Sequence, residues 1–404
     1  MKIDLLHYSA PPVVGGVESV LAHHARLMAD AGYHVRILAG RGAQTDPRIP
    51  FVHLPLADSQ HPDILSVKAE LDKGCIPDRF SQLVEQLSAS LNKALGGVET
   101  LIAHNVCSLH KNLPLTAALK HVLEQPGSPR IILWHHDLAW TTPRYQNELH
   151  AGFPWDLLRT DWLGAEQVAV SELRLQELAG LLGIPPERIT VIPNGVDVFQ
   201  FLGLQEQTQT FVEQLGLMAA EPLFLLPVRI TPRKNIELAL LTLAALQKRF
   251  PNPALVVTGP VGPHNPNNVK YMERLRAMRN ELNLENKAHF LTELSSGYLS
   301  DSAVAGLYRL ADALILPSRE EGFGIPILEA GLSGLPIFCT DIPPLHSLAR
   351  NDATYFSPTA NPEIIASLIY DRLSTDPIYR MRVQVRKNFT WEQIYSQYIA
   401  PLLG

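Results

Sequence analysis

Three features of the sequence predict an α/β protein built from two doubly wound parallel sheets. Short apolar runs rich in Val, Ile and Leu read as strands covered on both faces. Helical stretches separate them, which is the pattern of strand–helix–strand units. The chain has 404 residues, and single cores stop growing at roughly 250–300 residues, so two domains are expected.

The elements follow in order. A strand is expected over 3–7, then a loop over 9–16 and a helix over 17–31 that Gly32 ends. A second strand covers 34–39, and the runs 100–104, 130–134, 165–170 and 190–192 supply the rest of the first sheet. The second half repeats the plan with strands over 223–228, 254–258, 289–291, 313–316 and 336–340. Its helices are expected over 235–250, 269–283 and 303–311. The Gln-rich stretch 198–221 has little strand character, so the boundary is drawn there, with an N-terminal domain over 1–200 and a C-terminal domain starting at 201. Two such domains would face each other across a cleft. Ligands of doubly wound sheets bind beyond the carboxyl ends of the strands, so the informative residues are those just after strands.

Composition narrows the function. The chain is 46% hydrophobic and 18% charged with a net charge of −6, which is globular and unlike a nucleic-acid binder with a strongly basic face. Cys75, Cys107 and Cys339 are odd in number and far apart, so neither a disulfide framework nor a zinc cluster is expected, and each reads as a small buried hydrophobe. Asp4 interrupts any signal-peptide pattern, and no run of about 18 apolar residues crosses a membrane. A cytoplasmic protein is expected, with peripheral membrane contact left open. The helical stretch 81–95 carries only Lys93 as a cation, which is poor for a surface-binding helix.

Four segments carry chemistry. Ser318-Arg-Glu-Glu-Gly-Phe-Gly-Ile-Pro-Ile-Leu-Glu329 follows a strand. Gly322 and Gly324 let backbone amides approach a ligand, and Pro326 suits the first turn of a helix. Glu329 is expected in that first turn, its carboxylate pointing back at the loop. The helix end attracts phosphate, while Glu321 and Glu329 would serve hydroxyl groups, so a ligand bearing both, a nucleotide-sugar, fits. A plain strand–helix turn with two solvated glutamates is the alternative. Arg229 and Lys234 lie in Pro227-Val-Arg-Ile-Thr-Pro-Arg-Lys-Asn235, after the first strand of the second half. Two cations aimed at a departing diphosphate stabilise the charge it gathers, Arg by bidentate contact and Lys as a point charge. An ordinary basic loop is the other reading, and Arg233 reads as a solvated neighbour. Gly15 and Gly16 open the first helix, where amides could meet phosphate or sugar, although a tight turn explains them equally. His135 and His136 end a strand and cannot both point one way; His136 is read as contacting a sugar hydroxyl or handling a proton, with packing as the alternative. No His-Glu-x-x-His and no Asp-x-Asp pair occurs, so no metal is expected.

Together these segments resemble the retaining glycosyltransferases of the GT-B fold, family 4. The resemblance runs over the whole chain, through Gly15-Gly16-Val-Glu18, His136-Asp137, Ile192-Pro-Asn-Gly-Val-Asp197, Arg229 and Lys234, Glu321 and Glu329 with seven residues between them, and Phe389-Thr-Trp-Glu392. It implies two Rossmann-like domains, 1–200 on the acceptor side and 201–385 holding the donor, with 386–404 returning to the first. It implies that Arg229 and Lys234 hold the donor diphosphate, and that Glu321 with the amides of Gly322, Phe323 and Gly324 holds the sugar. Glu329 would bind the ribose, Gly15 and Gly16 would lie near diphosphate or sugar, and His136 near the transferred sugar. The implied reaction moves a hexose-type sugar from a UDP- or GDP-linked donor to an acceptor, a saccharide, small molecule or lipid-linked glycan, forming an α-linkage without a metal or other cofactor. The sequence departs from the pattern at His346, where many relatives carry Glu, and the loops 58–78 and 141–155 match nothing in it. A disaccharide phosphorylase on the same fold and a non-catalytic nucleotide-sugar binder are the alternatives.

Overall fold

The computed structural model describes residues 1–262, 267–294 and 299–404. The chain divides into two compact units, Met1–Gly195 with Trp391–Gly404, and Val196–Thr390. The division falls short of the expected 200 and beyond the expected 385. Packing explains this. Val198, Leu204, Phe211, Val212 and Leu217, in the stretch where the boundary was drawn, are buried in the second unit's core. The Val196 amide donates to the Phe389 carbonyl at 2.7 Å, so both connecting strands of chain belong to the second unit up to Thr390.

The first unit holds a seven-stranded parallel sheet of β1 (Lys2–Ser9), β2 (His34–Arg41), β3 (Phe51–His53), β4 (Thr100–His104), β5 (Arg130–His135), β6 (Ala165–Ala169) and β7 (Ile189–Val191), in the order β3-β2-β1-β4-β5-β6-β7. Alternate residues of β1 face opposite sides, and both sides are buried. Leu6 and Tyr8 enter one apolar cluster with Leu101 and Leu133, whereas Ile3 and Leu5 enter another with Ile102, Ile132 and Trp134. Helices on both faces are what give these strands their continuous apolar character. The C-terminal segment belongs to the second of these clusters through Ile394, Ile399 and Leu403, and the His23 ring stacks on Trp391.

The second unit holds a six-stranded parallel sheet of β8 (Leu223–Leu226), β9 (Ala254–Val257), β10 (Ala288–Phe290), β11 (Ala313–Leu316), β12 (Ile337–Thr340) and β13 (Thr354–Phe356), in the order β10-β9-β8-β11-β12-β13. The sequence reading missed β3 and β13, which are three-residue edge strands without a fully buried run. It also missed the helix Pro62–Leu71 inside one of its unplaced loops.

Candidate functional site

In the second sheet, β8 is followed outward by β9 and β10, and β11 by β12 and β13 on the other side. Crossovers running in opposite directions leave a crevice beyond the carboxyl ends of β8 and β11. The loops after these two strands are tied together there. Asn235 holds a left-handed backbone with φ 52°, a conformation asparagine tolerates better than most residues. Its amide nitrogen donates to the carbonyls of Pro317 and Pro358, both at 3.0 Å, and its oxygen accepts from Arg319 at 2.9 Å. The Arg319 amide donates to the Arg233 carbonyl at 2.8 Å.

This clamp brings Lys234 onto Glu321. The ammonium donates to Oε1 of Glu321 at 2.5 Å, the Ser318 hydroxyl donates to the same oxygen at 2.7 Å, and both charged side chains are about nine-tenths buried. A buried lysine and carboxylate are costly apart and mutually compensating together. Arg229 is exposed and lines a neighbouring cavity of about 480 Å³ with Glu329, Tyr308 and Thr258. Arg229 and Glu329 thus share one cavity, while Lys234 and Glu321 form a direct pair.

Two expectations about the Glu321–Glu329 segment are corrected. The helix is Ile325–Leu332, so Glu329 lies in its second turn and not its first. Its carboxylate does not point back at the loop; Oε2 accepts from the Tyr308 hydroxyl at 2.6 Å, a partner on the neighbouring helix Asp301–Leu310. Gly324 precedes the helix at φ 109°, and a Cβ there would meet Leu345 at 2.7 Å, so glycine is required by the backbone. Gly322 has open space around it and no such constraint. Phe323 is exposed.

In the first sheet the reversal falls between β1 and β4, and a polar network sits at their carboxyl ends. The Ser9 hydroxyl donates to Glu18 at 2.6 Å. A Cβ on Gly15 would come within 2.0 Å of that carboxylate, so a larger residue there would displace the Glu18 side chain from Ser9, whereas Gly16 has open space. His136 is largely buried, its Nε2 lying 3.1 Å from Nδ1 of His104. Asn105, at φ 58°, accepts from the amides of His136 and Asp137 at 2.8 and 3.1 Å and so fixes the turn after β5. His135 turns the other way and donates to Gln167 at 2.7 Å. Burial, aided by His7 and His135, pushes His136 down to about 3, so it stands as a neutral imidazole with one donor and one acceptor nitrogen. Burial also drives His104 well below its ordinary value.

Among the described residues, one group has metal-ligand spacing: Asp72, His110 and Glu148, with candidate atoms within 4.8 Å of one another. Lys68 donates to Asp72 at 2.6 Å and to Glu148 at 2.9 Å, so an ammonium already pairs with both carboxylates. The network ties together the two loops that the sequence left unplaced.

The comparisons with known proteins decide the family. The family described as "Glycosyl transferases group 1" matches residues 207–389, and the one described as "Glycosyltransferase Family 4" matches residues 14–199. The chain belongs to the group 1, family 4 glycosyltransferases. An uncharacterised glycosyltransferase of Methanocaldococcus jannaschii is 24% identical over 98% of this chain and 96% of its own length. A D-inositol 3-phosphate glycosyltransferase of Nocardia farcinica is 29% identical over 46% of this chain, but the match spans only 40% of that enzyme. A solved glycosyltransferase of Rickettsia africae is 18% identical, covering 99% of this chain and 97% of its own, with a TM-score of 0.39.

With two Rossmann-like parallel sheets, this glycosyltransferase has the GT-B architecture. Sequence reasoning missed Ser318, Asn235, Tyr308, His104 and Asn105 as members of the two polar clusters. The two asparagines carried a readable signal, since each follows an apolar strand in a turn where a left-handed residue is favoured. Tyr308 carried none, because its partner Glu329 is distant in sequence and on another helix.

Proposed function

We propose that this glycosyltransferase transfers a hexose from a nucleoside-diphosphate sugar, UDP- or GDP-linked, to a hydroxyl of a saccharide, small-molecule or lipid-linked acceptor, with retention and without a metal. The observation that carries this reading is the buried Lys234–Glu321 pair beside a cavity lined by Arg229 and Glu329, at the switch point of the second sheet. Cations next to carboxylates suit a ligand with charged phosphates at one end and hydroxyls at the other. In this reading Arg229 and Lys234 hold the diphosphate, Glu321 and the amides of Gly322, Phe323 and Gly324 hold the sugar, and Glu329 accepts from the ribose. Gly15 and Gly16 are assigned to the diphosphate or sugar, and the neutral His136 to a sugar hydroxyl.

The chemistry then needs little from the protein beyond orientation and charge. The bond between the anomeric carbon and the phosphate oxygen breaks, and the acceptor oxygen bonds to that carbon on the same face. The acceptor proton passes to the departing phosphate oxygen. Negative charge develops on the diphosphate, and Lys234 shifts its interaction from Glu321 toward it. Stabilising such charge in a water-poor site is usually the largest single contribution to the rate.

The test is turnover of UDP- and GDP-hexoses in EDTA, followed by NMR, which reads the anomeric configuration of the new bond. An α-product made from an α-donor in the presence of EDTA is expected. A β-product, or turnover restored only by a divalent cation, would remove the retaining, metal-free mechanism. Cleavage of α-disaccharides that needs inorganic phosphate and no nucleotide would point to a phosphorylase.

A further inference from the structure

Resting on the nucleotide-sugar reading above, we propose that the donor's base is guanine and that Asp301 selects it. The helix Asp301–Leu310 presents Asp301, Val304, Ala305 and Tyr308 to the cavity that Glu329 lines. The spacing is i, i+3, i+4, i+7, one continuous face of a helix. At one end of this stripe the Tyr308 hydroxyl holds Glu329 at 2.6 Å, aiming the carboxylate assigned to the ribose. At the other end stands the Asp301 carboxylate, which has no hydrogen-bond or ion-pair partner among the described residues. The two ends are two turns apart, about 10 Å along the axis. Between them the wall is Val304 and Ala305, small and apolar, suited to the face of an aromatic base, with Pro260 also lining the cavity.

A base lying along this stripe from a ribose at Glu329 meets Asp301 with its far edge. A purine reaches across the interval and a pyrimidine falls short. The carboxylate accepts and cannot donate, so it needs neighbouring N–H groups. Guanine presents two, N1–H and the 2-amino group, matched to two carboxylate oxygens. Adenine offers its 6-amino group beside an acceptor nitrogen, and uracil flanks its single N–H with two carbonyls, so each sets a lone pair against the carboxylate. Charge-assisted pairing of this kind gives strong discrimination, because a base lacking the donors leaves the acceptor unmet.

Calorimetric titration of the whole protein with GDP, IDP, UDP and ADP tests the assignment, with Asp301→Asn as the variant. GDP should bind about tenfold or more tighter than the other three, the typical value of one bidentate base contact. IDP, which lacks only the 2-amino group, should lose most of that advantage. In Asp301→Asn the preference for GDP over UDP should shrink by a similar factor while UDP affinity changes little. UDP or ADP binding as tightly as GDP to the wild-type protein overturns the guanine assignment, and an undiminished GDP preference in the variant overturns the role of Asp301; either result leaves the nucleotide-sugar reading standing. Failure of all four to bind removes the nucleotide-sugar reading, and this assignment with it.

Discussion

At the scale of single residues, the pairing of Lys234 with Glu321 changes what a mutation at either position tests. The two were legible as separate strand-end residues, one for phosphate and one for sugar, but their mutual contact was not, because nothing in the spacing reports how the loops after β8 and β11 meet. Lys234→Ala is therefore expected to do two things. It removes a cation from the proposed phosphate clamp, and it leaves a buried carboxylate with only Ser318 for company. Breaking a buried pair from one side costs about 3–5 kcal/mol, so this variant loses stability as well as activity. Arg229 is exposed and has no such partner among the described residues, which makes Arg229→Ala the cleaner probe. Its transfer rate should fall about 10²-fold, the typical effect of removing one donor to developing oxyanion charge, with no change in unfolding temperature. Steady-state kinetics paired with thermal unfolding separates the two variants; near-normal turnover in Arg229→Ala would remove the clamp. Tyr308→Phe tests the other carboxylate. Without the phenol, Glu329 is no longer fixed, and donor KM should rise about tenfold with little change in kcat, in keeping with a hydrogen bond to a charged group. An equal loss in kcat would place Tyr308 in the chemistry and not in binding.

At the scale of elements, the strands were the most readable part of the chain and the packing of the terminal segment the least. Parallel strands buried on both faces carry an apolar run regardless of their neighbours, so β1, β4, β5, β8, β9 and β11 announced themselves. Edge strands β3 and β13 have water or loops beside them, need no such run, and went unread. The return of residues 386–404 to the first domain came from the family resemblance alone. The physical reason for that return lies in Trp391, which is 3% exposed and packs against Val20 and Leu27 of the first helix and the rings of His23 and His24. Gly195, the last residue of the first unit's main segment, is also shaped by it, since a Cβ there would lie 2.7 Å from the indole. Trp391→Ala should cost the first unit about 3–5 kcal/mol, as large-to-small changes of buried aromatics do. Chemical denaturation followed by fluorescence of the remaining tryptophans reads the loss. Unchanged denaturation would mean that the terminal helix contributes no stability to the first unit.

At the scale of the whole molecule, the two units differ in what acid does to them. Most of the 15 histidines belong to the first unit. Burial pushes His24 and His136 down to about 3 and His135 to about 4, and holds His104 well below its ordinary value. Each of these groups takes up a proton near pH 6.5 when the chain is unfolded and refuses it when folded. The unfolded state therefore binds more protons below pH 6.5, and stability falls as the pH drops toward 4. A histidine in that window contributes about 1.4 kcal/mol per pH unit. His24 isolates the effect, because among the described residues neither ring nitrogen has a hydrogen-bond partner and its ring packs against Trp134 and Trp391. His24→Phe keeps an aromatic ring of similar shape in that slot and removes both the unmet polar atoms and the titration. Calorimetric unfolding should show the variant gaining more over the wild-type protein at pH 5 than at pH 7.5, because only the wild-type unfolded chain gains a proton at 24 in acid. A difference between the two proteins that is the same at both pH values would show that His24 titrates alike in the folded and unfolded states, and would place the acid sensitivity of this unit in its other buried histidines, His7, His104, His110, His135 and His136.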